Sequence, residues 1–400
     1  MPNQFFSPEG DLENYFVTEY WLIDQYVGDE LWVWGNAANG RLGNASTVTA
    51  GTSTPVTTFS GGVTWEQVAA TSFSVAIKTD GTLWTWGDNA NGRLGNAVTV
   101  GRSTPVTTFL GGTNWKQAES GNAFGLAIKT DGTLWTWGDN TNGNLGNAST
   151  VETSTPVTTF LGGTNWKQMS AGGTFLGSTG SVAAIKTDGT LWTWGPNSNG
   201  RLGNAATATT VSTPVTTFLG GTNWKQVSVG ESHMAAIKTD GTLWTWGNAA
   251  NGRLGNASTV GTSTPVTTFL GGTNWKSVSV SDTNTAAIKT DGTLWIWGSA
   301  TNGQLGNAAT TGNISTPVTT FLGGTNWKQI SCGDFSSSAI KTDGTLWTWG
   351  DNANGRLGNA VTVGRSTPVT TFVGGKNWKQ TYAGASHVLA VRSGLNAEVV

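Results

Sequence analysis

Leu83-Trp84-Thr85-Trp86-Gly87-Asp88-Asn89-Ala90-Asn91-Gly92-Arg93-Leu94-Gly95-Asn96 decides the fold, because the same residues return unchanged at 346–359. Residues 82–109 and 345–372 are identical throughout. The heart of the stretch, Leu-Trp-x-Trp-Gly, occurs seven times, with its second Trp at Trp34, Trp86, Trp137, Trp194, Trp246, Trp297 and Trp349. A companion motif, usually Gly-Gly-Thr-Asn-Trp-Lys, supplies Trp65, Trp115, Trp166, Trp224, Trp275, Trp327 and Trp378. Of 22 Trp, only Trp21 falls outside the two motifs. A fixed period of about 50 residues marks a repeat architecture.

Composition narrows the choice. Only 11% of the 400 residues are charged, with 58 Gly and 4 Tyr. That argues against a disordered chain, which lacks Trp and carries more net charge, and against a helical bundle. No apolar run approaches the length of a membrane helix, so membrane insertion is not expected. A net charge of −2 makes nucleic acid an unexpected partner. One cysteine, Cys332, permits no intrachain disulfide. The first residues lack a basic segment followed by an apolar one, so no standard secretory signal is expected. The chain is then expected in the cytoplasm or inside an assembled particle.

Each unit reads as four short strands. In one copy they are Trp224–Val229, 234–238, 243–246 and 265–269. Asp240-Gly241 makes the tight turn between the second and third, since this pair tolerates positive φ. Pro265 suits an edge strand. Repeated four-stranded units point to an all-β propeller. A solenoid would need atypical capping repeats, and these copies run nearly unchanged to both ends. The chain enters at strand three (31–34) and ends on strands one and two (378–382 and 387–391). The terminal strands are therefore expected to share one blade and close a ring of seven over 31–394, leaving 395–400 as a tail.

Residues 1–30 are surplus to that ring. They hold seven acidic residues and no Lys or Arg, with Phe5, Phe6, Tyr15, Phe16, Tyr20 and Trp21. Their periodicity fits a helix and a strand about equally. Three readings stay open: packing back on the propeller, an anchor docking on another subunit of a larger assembly, or a disordered tail.

The 83–96 stretch resembles the signature of the regulator-of-chromosome-condensation repeat, and Gly230-Glu231-Ser232-His233 resembles that family's Gly-x-x-His element. The resemblance covers about 31–394 and implies a seven-bladed β-propeller. Family members include nucleotide exchange factors, ligase-associated modules, a plant UV-B receptor and bacterial and phage proteins, so the resemblance implies fold more than function. The receptor's Gly-Trp-Arg-His-Thr pattern is absent here. Exchange-factor activity needs one distinctive surface, which near-interchangeable blades do not offer.

No catalytic constellation emerges. His233 and His387 occupy the same repeat position in separate blades and read as structural. Cys332 reads as a small buried thiol. The aspartates of Lys-Thr-Asp-Gly recur with the turn, which explains them without a glycosidase carboxylate pair. Asp88-Asn-Ala-Asn-Gly departs from calcium-loop spacing, so no metal is expected, and no cofactor. No Gly-rich loop opens a helix to cradle phosphate.

Where near-identical copies differ, the fold does not dictate the residue. Variation gathers between strands one and two, at Phe73, Phe124, Glu231, His233, Asp282, Asn284, Asp334, Phe335 and His387, with six extra residues around Phe175 and Leu176. Equivalent propeller loops share one face. A uniform scaffold with one varied face is a common arrangement for binding, though neutral drift would also produce it. Low charge, abundant Thr, Asn and Gly and near-perfect internal duplication resemble phage and bacterial surface appendages of this repeat family, and that resemblance implies a non-enzymatic virion structural or surface-appendage protein, anchored through its leader. Its varied face would recognise a cell-surface glycan or protein. The alternative is a protein-interaction scaffold in bacterial cytoplasm.

Overall fold

Seven four-stranded antiparallel sheets form among the described residues, one for each expected blade. The computed structural model describes residues 28–46, 51–59, 65–173, 179–206 and 208–394. Blade 1 is the shared one. Its strands, from the centre outward, are Trp378–Ala383, His387–Ser393, Asp29–Gly35 and Thr52–Thr57. Blades 2 to 7 follow in order at 65–107, 115–158, 166–216, 224–267, 275–319 and 327–370. The expected closure is thus found, with Leu31 opposite Val391 and Trp34 opposite Val388 in the joining ladder. The propeller's first strand begins at Asp29, two residues inside the segment read as leader. Residues 1–27 of the leader and the 395–400 tail lie outside the described residues.

The core is a set of seven apolar clusters, each lying between adjacent blades. The cluster between blades 2 and 3, for instance, joins Phe73, Val75, Ile77, Leu83 and Leu94 to Trp115, Ala127 and Trp137. Within a blade, the two motif tryptophans meet edge to face, as in Trp224 and Trp246 at 6.3 Å and 64°. Burying one such ring removes about 150–250 Å² from water, or about 4–6 kcal/mol.

Polar groups stitch the same joints. The second Trp of each Leu-Trp-x-Trp-Gly donates its indole N–H to a backbone carbonyl of the preceding blade. Trp246 bonds Arg201 O at 2.9 Å and Trp34 bonds Arg356 O at 2.9 Å, the latter across the closure. Gly255 shows why the Leu-Gly-Asn motif needs its glycine: φ is +67°, and a Cβ there would lie 2.5 Å from the Trp297 ring nitrogen.

The Asp-Gly hairpins explain their own conservation of type across the repeats. Asp240 Oδ1 accepts from the Thr242 N–H at 2.9 Å and its hydroxyl at 2.7 Å, and the same hydroxyl accepts from Trp244 Nε1. The Thr242 hydroxyl and N–H hold the Asp240 carboxyl below its usual range. One expectation needs correcting. The fourth strand of blade 5 runs Thr262–Thr267, not 265–269. The Phe269 N–H bonds Gly255 O at 2.8 Å instead of continuing the ladder.

Candidate recognition surface

First strands line a central channel of about 210 Å³. Its wall is tied together by glutamines that reach across to the next blade. Gln168 takes the Val227 N–H at 3.0 Å and gives to the Val227 carbonyl at 2.9 Å. Gln67, Gln226 and Gln329 repeat this two-bond clamp on Ala118, Val278 and Thr381. Blade 6 has Ser277 in that place, and its hydroxyl finds no partner among the described residues. Two residues further along, serines accept from the next strand: Ser170 from Val229 N–H, Ser228 from Val280, Ser279 from Cys332 and Ser331 from Ala383.

Blades 1 to 3 break this serine ring with Tyr382, Ala69 and Glu119. Small Ala69 leaves room for the Tyr382 hydroxyl to reach Glu119 Oε2 at 3.3 Å, spanning blade 2. Burial raises the Glu119 carboxyl to about 8, so it is neutral at pH 7, while burial and Glu119 push the Tyr382 phenol well up.

The varied loops converge at one mouth of this channel. Ala70–Thr71, Ala171–Gly173, Val229–Glu231, Val280–Asp282, Cys332–Asp334 and Tyr382–Ala385 ring the axis there. Of the residues expected to form a binding face, Glu231, Asp282 and Asp334 come together at this mouth. Burial raises the Asp282 carboxyl to about 6, helped by Glu231 and opposed by Arg253 and Arg201. Phe335 is half-buried, with the Arg356 guanidinium 5.4 Å over its ring. Phe175 and Leu176 lie outside the described residues.

Five expected residues are not on that face. Phe73, Phe124, His233, Asn284 and His387 are fully buried between blades. Each pairs in its ladder with the glycine of Leu-Trp-x-Trp-Gly, whose missing side chain leaves the space they fill. His233 Nε2 meets the Thr285 hydroxyl at 2.8 Å and His387 Nε2 meets that of Ser74 at 2.9 Å. Burial, then Arg253 or Arg41, drives both imidazoles well below their usual titration range. Cys332 is buried at the mouth, its thiol pushed up to about 12 by desolvation.

Sequence reading missed two groups. The arginines of Arg-Leu-Gly-Asn pin the varied loops by their backbones: Arg253 bonds Asp282 O at 2.8 Å and Arg356 bonds Ala385 O at 3.3 Å. Their recurrence in five copies was the available signal. On the opposite face, Phe59, Phe109, Phe160, Phe218, Phe269, Phe321 and Phe372 stand 64–68% exposed, one per blade. Their sevenfold recurrence was visible, but an apolar residue at a strand end reads as core.

These features define a closed β-propeller with uniform blades and a varied axial mouth. The regulator of chromosome condensation (RCC1) repeat matches at 80–128, 131–177, 188–237, 240–288, 291–340 and 343–391. The chain belongs to the RCC1 repeat family. Each matched unit starts at the Asp-Gly hairpin, two strands out of step with a blade, which is why the ends must share one. The chain is 25% identical over 378 residues to the human E3 ubiquitin-protein ligase HERC2, covering 92% of this chain but 8% of that protein. It is 28% identical to the ultraviolet-B receptor UVR8 of Arabidopsis thaliana over 81% of this chain and 73% of the receptor. Yeast RCC1 (Prp20), solved bound to Kap60, superposes with a TM-score of 0.77 at 16% identity, covering 100% of this chain and 95% of that one.

Proposed function

We propose that this protein is a non-enzymatic recognition and structural module, displayed on a virion or surface appendage. The supporting observation is the distribution of difference: blades that repeat almost residue for residue vary at loops gathered on one channel mouth. A rigid ring with a varied mouth suits binding more than turnover. Glu231, Asp282 and Asp334 are the residues we assign to that contact, with a cell-surface glycan or protein as target. The acidic, aromatic leader would fix the ring to other structural proteins of the assembly. A bacterial protein-interaction scaffold is the second reading, favoured by the protein-bound state of the yeast relative.

Deleting residues 1–27 tests the anchor. The expected result is an unchanged unfolding transition together with loss of particle incorporation. Normal incorporation sinks the anchor. Exchanging the 172–180 loop for the shorter blade 5 loop, read on glycan and cell-surface protein arrays, tests the varied mouth. Unaltered binding refutes it.

A further inference from the structure

The face opposite the varied mouth carries charge and apolar surface that neither reading above uses. All thirteen lysines of the chain belong to it. Six end second strands, as Lys238 does, six follow the first-strand Trp, as Lys225 does, and Lys376 sits in a linking loop. Backbone bonds such as Trp275 N–H to Gly241 O place the hairpins and the linking loops at one end of the blades. With Arg392, this end holds fourteen cationic side chains against nine carboxylates: six hairpin aspartates, Asp29, Glu30 and Glu66. The rest of the described residues hold seven arginines against eight carboxylates, the channel's Glu119 included.

Six of these lysines are held on indole rings, each near the one hairpin carboxylate whose charge it favours, and six more follow the first-strand Trp. Lys238 Nζ lies 4.8 Å and 5.0 Å from the ring centroids of Trp224 and Trp244, and five other blades repeat the arrangement. Among the described residues, Lys379 alone pairs with a carboxylate, Asp29, at 2.7 Å. Around the rim stand the seven exposed phenylalanines, with Leu110, Leu161, Leu219, Leu270 and Leu322 beside five of them at 37–39% exposure. Aromatic side chains are enriched at interaction surfaces, and here they recur at seven equivalent exposed positions of one face.

We propose that this face docks an acidic protein segment bearing apolar side chains. Lysine steers the carboxylates, Phe receives the apolar groups, and seven equivalent positions supply multivalency. A polyphosphate backbone fits less well. Its phosphates would meet lysines, which lack the bidentate fork of arginine. The proposal is independent of what the varied mouth recognises.

The test uses the full chain and immobilised poly(Glu,Tyr) copolymer, with poly-Glu and duplex DNA as comparisons. The copolymer should bind about tenfold tighter than poly-Glu and weaken about tenfold between about 0.05 and about 0.3 M salt. Changing Phe109, Phe160, Phe218 and Phe269 together to Ser should cost about tenfold in copolymer binding with no shift in unfolding, since these rings are exposed. Changing Lys116, Lys167, Lys225 and Lys276 to Gln should flatten the salt dependence. Absence of copolymer binding, or full binding by the Phe variant, overturns the proposal. Tighter binding to DNA than to copolymer overturns it in favour of a nucleic-acid surface. A dimer of the parent chain that the Phe variant loses overturns it in favour of self-association.

Discussion

Replacing Ser277 by Gln should stabilise the ring. Blade 6 is the joint where a serine stands in place of the clamp, and its Oγ is buried without a partner among the described residues. Four of the six equivalent glutamines make two bonds of 2.8–3.3 Å to one residue of the next inner strand, whereas Gln117 makes one, to Met169 O, and Gln380 Oε1 is buried without a partner among the described residues. In blade 7 that residue is Ile330. Two bonds at about 1 kcal/mol net each, plus about 1 kcal/mol for removing the orphaned hydroxyl, oppose about 1.5–2 kcal/mol of side-chain ordering. The balance is about 1 kcal/mol. With an unfolding entropy of about 2.1 cal/mol/K per residue, that raises Tm by about 1–2 °C in a chain of this length. Urea unfolding should show a higher midpoint at unchanged slope. The converse variant, Gln329→Ser, strands the Thr381 N–H and C=O and should cost about 2–3 kcal/mol. If S277Q melts at or below the parent while Q329S melts with it, the clamps do not hold the blades and the reasoning fails.

Three further outcomes are expected. Removing residues 378–400 strips blade 1 of its two inner strands and uncovers Trp34, so calorimetry should find no parent-like transition; a retained Tm would contradict the closure. The Glu119 carboxyl is neutral in the fold up to about pH 8 but ionises near 4.5 when unfolded. Stability should therefore fall as pH rises from about 4.5 to about 8, by at most about 5 kcal/mol and less where channel water solvates it. E119Q should flatten that slope in pH-dependent melting; an unchanged slope would exclude Glu119 as its source. His233 and His387 stay neutral in the fold while the unfolded chain protonates near 6.5, so stability should fall on acidification below that value. H233Q should soften this acid limb, and equal acid limbs would show that His233 does not contribute.

Most of the architecture was legible because two Trp motifs fix both the period and the strand order. Closure followed from counting strands at the ends. The binding face was less legible, for a specific physical reason. Variation between copies reads as exposure, yet Phe73, His233, Asn284 and Ser336 vary at a position buried opposite a glycine. There the neighbouring blade accommodates different volumes and hydrogen-bond partners, so interior sites can vary as freely as loops. The rim phenylalanines show the reverse. They barely vary, and their exposure depends on the fourth strand stopping at a threonine, which hydrophobicity alone does not signal.

The shared blade has a consequence for how so repetitive a chain finds one register. Identical 28-residue stretches in blades 2 and 7 offer a folding chain equivalent partners. Blade 1 is chemically distinct. It has Val33 where most copies have Thr, Arg392 where the others have Lys, Tyr382 in place of serine, and a Lys379–Asp29 ion pair across the terminal strands. Trp32 and Trp34 both meet Trp378 edge to face at 6.3 Å, joining the two ends of the chain through three rings. The closing joint thus carries side chains that the repeated blades lack, so a chain that pairs its ends with a look-alike strand forfeits the Lys379–Asp29 ion pair.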